Sequence, residues 1–371
     1  MPPLHLLIKP VSGNCNMRCN YCFYADITEN REVASYGIMN LSTLENIVKK
    51  TLSAASMECT FAFQGGEPTL AGLDFYKKLI EFEQKYNTKN LTIHHAIQTN
   101  GYVIDREWAQ FLAEHRFLVG LSLDGIKDTH DLYRMDAAQK GTFSKTMHAA
   151  QLFDTYGVEY NILTVVTKQL AKNIRKVYAF YKRNHFMYQQ YIPCLDPIGE
   201  QRGGHDYSLT PKLYGEFLMN LFDLWYRDMM QGEKVSIRYF DNIISMLWGY
   251  PPESCSMWGQ CSRQNVVEAD GEVYPCDFYV LDEYKLGNLN NSDFAQINHC
   301  KEGTQFINQS HSVATECREC QWYPLCRGGC RRDRDYIENG ALALNFFCDS
   351  YKMFFDYAYS RLKEVALKYG K

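Results

Sequence analysis

The sequence predicts an α/β fold: an open, partial β/α barrel of six units, followed by a smaller cysteine-rich module. Three observations predict it. Short β-branched or aromatic runs alternate with amphipathic helical stretches over the first two-thirds of the chain, the pattern of parallel β/α units. The alternation stops near Val235. Cysteine density rises from that point.

The strands are read at Leu4–Lys9, Cys59–Phe63, Leu91–Ile97, Leu118–Leu123, Tyr160–Val166 and Phe186–Ile192. Helical patterns separate them at Leu41–Ala54, Leu73–Lys85, Glu107–His115, Phe143–Tyr156 and Asn173–Arg183. Six units leave a barrel open, short of the eight that close one. The polar, Gly-rich stretch Gly199–Ser208 reads as a loop. Pro211–Met230 reads as a long helix, and Asp349–Lys371 as an amphipathic terminal one. The predicted domains are therefore 1–234 and 235–371.

The chain has 371 residues, 46% of them hydrophobic, which is ample for a sizeable core. A net charge of −4 is too mild for a nucleic-acid or membrane surface. No apolar run reaches the length of about 18 residues that a membrane helix needs. The N-terminal stretch through Cys15 has no basic segment leading into an apolar one, so it is not read as a secretory signal. The expected compartment is the cytoplasm. Thiol buffers there disfavour disulfides, so the 14 cysteines point to metal or catalysis. Cys59, Cys194 and Cys300 stand apart from the cysteine clusters and are assigned no chemistry.

The strongest local signal is Cys15-x3-Cys19-x2-Cys22, directly after the first predicted strand. Three soft thiolates this close can wrap one face of a [4Fe–4S] cluster. They leave one iron open for a small molecule, by the logic of an open catalytic metal site. A zinc knuckle is the alternative, but no His follows at finger spacing. With Tyr21 before its last Cys, the motif resembles that of the radical S-adenosylmethionine (SAM) enzymes. Gly65-Gly66-Glu67, at the end of the second predicted strand, resembles that family's GGE motif, which meets the SAM amino group. Ser122 and Arg134 resemble its partners for the SAM carboxylate, and Leu195 fits an adenine contact.

Further cysteines follow as Cys255-x5-Cys261-x9-Gly271-x4-Cys276, then Cys317-x2-Cys320-x5-Cys326-x3-Cys330, then Cys348. A purely local reading groups Cys317, Cys320, Cys326 and Cys330, and on ligand chemistry two zinc ribbons fit almost as well as iron–sulfur clusters. The pattern resembles the SPASM domain of radical SAM enzymes that modify peptides and proteins. That resemblance implies an interleaved assignment, with Cys255, Cys261, Cys276 and Cys330 on one auxiliary cluster and Cys317, Cys320, Cys326 and Cys348 on the other. The implied cofactors are three [4Fe–4S] clusters and SAM.

Longer stretches narrow the family. Ile8-Lys9-Pro10, the run from Phe61 through Gly72, Gln98 through Gly101, Cys194 through Pro197, Ser236 through Asp241, Tyr274 through Tyr279 and Gly328 through Arg332 resemble the anaerobic sulfatase-maturating enzymes. The resemblance implies oxidation of a Cys, with some activity on Ser, in a Cys/Ser-x-Pro/Ala-x-Arg motif to Cα-formylglycine. SAM is then cleaved reductively to 5′-deoxyadenosine and methionine. Asp277 is the implied base, although a capping or ion-paired carboxylate is the commoner role for an aspartate. Tyr24, Gln64, Gln98 and Asn100 sit where barrel sites collect and are read as substrate contacts. The implied partners are a sulfatase and a low-potential electron donor, a ferredoxin or flavodoxin, to a monomeric enzyme. One rival is a SPASM maturase forming a thioether or carbon–carbon crosslink in another ribosomal peptide. The other is a non-enzymatic Zn or Fe–S interaction module.

Overall fold

A computed structural model describes residues 3–334, 337–338 and 341–370. Its strands are β1 (Leu4–Ile8), β2 (Glu58–Phe63), β3 (Thr92–Thr99), β4 (Phe117–Ser122), β5 (Tyr160–Val166), β6 (Tyr188–Pro193), β7 (Ser236–Ile237), β8 (Val266–Val267), β9 (Glu272–Tyr274) and β10 (Gly287–Asn288), with a further short pair near the C-terminus. The chain divides into two compact units. One holds Met1–Ser122, Asp131–Tyr160 and Arg263–Phe306; the other holds Leu123–His130, Asn161–Ser262 and Ile307–Lys371.

In the first unit the strand order is β10-β9-β8-β1-β2-β3-β4. The run β1 to β4 is parallel, with Leu4 opposite Cys59 and Ile8 opposite Phe63. Side chains in β2 alternate, so Cys59, Phe61 and Phe63 are buried while their neighbours are half-buried. Helices return the chain to the start of the next strand. The helix Leu41–Ala54 begins at Asn40, whose side chain accepts the Thr43 N–H at 2.8 Å. The helix Phe143–Tyr156 ends on Gly157 in the left-handed region.

The other edge of β1 carries a hairpin from far along the chain. Strand β8 runs parallel to β1, with Leu7 opposite Val266 and Ile8 opposite Val267. The Lys9 N–H donates to the Val267 carbonyl at 2.8 Å, and the Leu7 N–H to that of Asn265 at 3.2 Å. The hairpin turns at Asp270-Gly271, and Gly271 has φ +89°. An added Cβ there would lie 2.7 Å from the Asn290 amide nitrogen, so the site favours glycine twice over. A buried ion pair fixes the hairpin: Arg31 Nη1 lies 2.6 Å from Glu268 Oε2, with the two side chains 1% and 0% exposed. Arg31 also donates to Ser12 Oγ and to the Ala34 carbonyl.

The second unit contains the parallel strands β5, β6 and β7. Strand β7 and the helix Arg238–Leu247 continue the β/α alternation beyond Val235, where the sequence reading ended it. Two residues are too few to show strand periodicity, which is why β7 was not legible. The helix Pro211–Met230 starts on the Thr210 cap with Pro at its first position. It packs against the C-terminal helix Cys348–Tyr369 through Phe222 and Phe354. Lys371, the end of the predicted terminal helix, lies outside the described residues. Among the described residues no helix is long and apolar enough to cross a membrane.

Replacing one member of a buried ion pair strands the other charge, a loss of about 3–5 kcal/mol. Arg31→Met should therefore lower the denaturation midpoint of the anaerobic protein sharply. The double variant Arg31→Met/Glu268→Leu should recover most of that loss. Equal midpoints for wild type and Arg31→Met would contradict this reading.

Candidate active site

The loop after β1 carries Cys15, Cys19 and Cys22, all half-buried and none in a disulfide. Backbone hydrogen bonds strap it on two sides. Arg18 N–H donates to the Met135 carbonyl at 2.7 Å and Asn20 N–H to that of Tyr133 at 3.2 Å. From the turn after β2, Gly66 N–H donates to the Ser12 carbonyl and Glu67 N–H to that of Asn14. An added Cβ on Gly66 would fall 1.9 Å from the Asn14 carbonyl oxygen, so nothing larger than glycine fits. Gly65 has φ +106° and rests on the Lys9 stem. The glycines thus bring bare backbone against the three-cysteine loop.

The Glu67 carboxylate is held within the protein. It is 1% exposed and accepts from Thr69 Oγ1 at 2.6 Å, Thr99 Oγ1 at 2.7 Å and the backbone N–H groups of Thr69 and Asn100. Burial pushes its carboxyl up, and these bonds pull it back. The side chain is a strut between the ends of β2 and β3. Asn100, read in the sequence as a substrate contact, also has a partner within the protein. Its amide donates to Asn16 Oδ1 at 2.8 Å and reaches Cys15 Sγ at 3.8 Å, so it braces the cysteine loop. Gln98 is exposed on β3, with no side-chain hydrogen bond in the described structure.

Tyr24 and Gln64 meet at Asp277. The Tyr24 hydroxyl donates to Asp277 Oδ2 at 2.7 Å and the Gln64 amide to the same oxygen at 2.6 Å. Asp277 Oδ1 is buried with no hydrogen-bond partner. Burial raises the Asp277 carboxyl, opposed first by the Lys9 charge and then by these two bonds. Burial and the Asp277 charge hold the Tyr24 phenol well above its ordinary value, so it stays a donor. In the sequence Lys9 stands out only as part of Ile8-Lys9-Pro10. It is 1% exposed, with its ammonium 4.8 Å from the Tyr24 ring centroid. A lysine at a strand end normally reaches solvent, and only the pairing of β8 on β1 discloses its burial.

Arg134 is buried, with its guanidinium 5.6 Å from the Tyr21 ring centroid. Ser122 closes β4 in the same unit. Leu195 is half-buried in the second unit, just after β6.

Of the remaining cysteines, Cys276 lies in the first unit beside Asp277, and the rest of the two predicted auxiliary sets lie in the second. Cys317, Cys320, Cys326 and Cys348 line one small cavity of about 20 Å³. Cys330, which the local spacing would add to the first three, instead feels the charges of Cys255 and Cys261. Among the described residues no three His, Cys, Asp or Glu side chains converge to hold a single ion. Four thiols around a cavity, and three on a loop against glycine backbone, are donor sets that fit iron–sulfur clusters.

Comparison with known proteins agrees with these features. A family model for the radical SAM superfamily matches residues 10–181, and one for an iron–sulfur cluster-binding domain, SPASM, matches 255–321. The chain is 52% identical over 366 residues to a cysteine-type anaerobic sulfatase-maturating enzyme of Clostridium perfringens, covering 99% of each. It is 32% identical to a serine-type anaerobic sulfatase-maturating enzyme of Bacteroides thetaiotaomicron, covering 96% of this chain and 89% of that one. The solved structure of native anSMEcpe with bound AdoMet and Cp18Cys peptide superposes with a TM-score of 0.95 at 51% identity, covering 99% of each chain.

Glu67→Gln keeps the shape of the strut but turns an N–H toward groups that donate. Loss of these buried bonds should cost about 1–3 kcal/mol. A lower thermal midpoint and weaker SAM binding in an anaerobic equilibrium assay are expected together. Unchanged values of both would remove the strut role.

Proposed function

Because the chain belongs to the cysteine-type anaerobic sulfatase-maturating enzymes, we propose that it oxidises the Cys of a sulfatase Cys-x-Pro/Ala-x-Arg motif to Cα-formylglycine. SAM is cleaved to 5′-deoxyadenosine and methionine in the process. Higher identity to the cysteine-type relative than to the serine-type one supports Cys as the main target, with Ser as a lesser one. The fold class is a radical SAM partial barrel with a C-terminal SPASM domain, and the cofactors are SAM and three [4Fe–4S] clusters. The proposed domain boundary lies at 234/235, between the helix Pro211–Met230 and β7.

Cys15, Cys19 and Cys22 would hold the cluster that binds SAM. The Gly65–Gly66 backbone would face the SAM amino group, Ser122 and Arg134 its carboxylate, and Leu195 its adenine, with Tyr21 beneath Arg134. Cys255, Cys261, Cys276 and Cys330 would hold one auxiliary cluster and Cys317, Cys320, Cys326 and Cys348 the other. When bound, the first cluster and SAM supply the hydrogen-atom abstraction at the target Cβ. The chain's own residues handle the proton. One observation carries this role: the buried, unpartnered Oδ1 of Asp277, held in place because Tyr24 and Gln64 occupy Oδ2. That oxygen is an acceptor for the target thiol proton. With one hydrogen atom, one proton and one electron removed, the target becomes a thioaldehyde, which water hydrolyses to the aldehyde and hydrogen sulfide. A ferredoxin or flavodoxin supplies the low-potential electron for SAM cleavage. The enzyme works in the cytoplasm as a monomer.

The decisive variant is Asp277→Asn, turned over anaerobically with a synthetic Cys-x-Pro-x-Arg peptide. Formylglycine, read by mass spectrometry, should fall by about 10²–10⁴-fold, the usual worth of a general base. SAM cleavage to 5′-deoxyadenosine should persist. An unchanged formylglycine yield would rule out Asp277 as the base.

A further inference from the structure

The cavity bordered by Cys317, Cys320, Cys326 and Cys348 is also lined by one cation, Lys352. Cys348 is the first residue of the helix Cys348–Tyr369, and Lys352 stands four residues on. Residues four apart share a helix face. Side chains lean toward the helix N-terminus, which places the lysine on the cysteine's side of the helix, and both line the cavity. Lys352 has no carboxylate within ion-pair distance among the described residues. The charges acting on it are Cys348 first, then Cys320, Asp349 and Cys317. Two acidic groups oppose it locally: Glu316, which lines the same cavity, and Asp349, which follows Cys348. A lysine that lines the same cavity as four thiols, and on which three of them act, has the position of an electrostatic partner for whatever those thiols bind.

We propose that Lys352 is a positioning residue for charge: it raises the reduction potential of the cluster held by Cys317, Cys320, Cys326 and Cys348. The inference rests on the ligand assignment proposed above. The physical argument is short. A [4Fe–4S] cluster with four thiolates is an anion, and one-electron reduction adds a further negative charge to it. A fixed positive charge beside it lowers the free energy of the reduced form more than that of the oxidised form. Net charge and surroundings are among the main determinants of such potentials. The helix N-terminus at Cys348 acts in the same direction, but that term is common to every variant at position 352. A higher potential makes this cluster a better electron acceptor than it would be without the lysine, suited to the electron that oxidation of the target releases.

The test is an anaerobic redox titration, followed by EPR, of the fully loaded enzyme and of its Lys352→Arg, Lys352→Gln and Lys352→Glu variants. A Cys317→Ala/Cys320→Ala protein identifies the signal of this cluster by its loss. All three Lys352 variants should keep about 12 irons per chain, as expected for three four-iron clusters. The identified midpoint should stay near wild type in Lys352→Arg, move negative in Lys352→Gln and move further in Lys352→Glu. The other midpoints should not move. An unmoved midpoint, or a common shift of all clusters, overturns the proposal. A Lys352→Gln protein with only about eight irons overturns it too, since the lysine would then be a support for cluster assembly. If the cysteine double variant keeps every cluster signal, the ligand assignment itself has failed, and that outcome is distinct from a failure of Lys352.

Discussion

The pairing of β8 along β1, locked by the buried ion pair of Arg31 and Glu268, is the constraint on which the candidate active site depends. Strand β1 ends at the loop of Cys15, Cys19 and Cys22, while the hairpin of β8 and β9 leads directly into Cys276 and Asp277. About 250 residues of chain separate the two segments, and loop-closure entropy alone would leave them apart. The seam joins them. Val266, Val267, Val273 and Tyr274 are fully buried, so apolar burial supplies most of the attachment. The ion pair adds register: Arg31 bonds the hairpin and the cysteine-loop residue Ser12 with one guanidinium.

Once the hairpin is seated, the rest of the pocket follows by short contacts. Phe278 packs edge-on against Phe23 at 5.0 Å, beside the Tyr24 that bonds Asp277. Lys9, at the end of β1, fills the space beneath Tyr24 and against Gly65. The carboxylate therefore sits among one cation, one phenol and one amide, all set by the first two strands and the helix after Cys22. A general base needs a free lone pair in a fixed direction. Two donors on one oxygen leave the other in that state.

Much of this was legible in the sequence, and the exceptions have physical reasons. Strands such as Glu58–Phe63 show alternating burial, and helices such as Leu41–Ala54 and Pro211–Met230 carry their own caps, so pattern alone located them. The convergence of Tyr24 and Gln64 on Asp277 was not legible, because β8 and β9 have two and three residues and no readable period. The bracing bonds of Asn100 and Glu67 were not legible for another reason. A buried polar residue at a strand end has the same sequence appearance whether it faces a ligand or braces a loop, and only its hydrogen bonds tell the two apart. The partition of Cys326, Cys330 and Cys348 likewise came from family resemblance, since spacing alone groups Cys330 with Cys317, Cys320 and Cys326, whereas Cys348 lines their cavity.

The seam can be probed directly by amide hydrogen exchange in active, anaerobic enzyme. If β8 truly anchors the base, the amides of Leu7 and Lys9 should exchange as slowly as those in the middle of β2. Exchange of these two amides at loop rates, in a protein that still converts its peptide, would show that Asp277 is held by something other than the strand pairing described above.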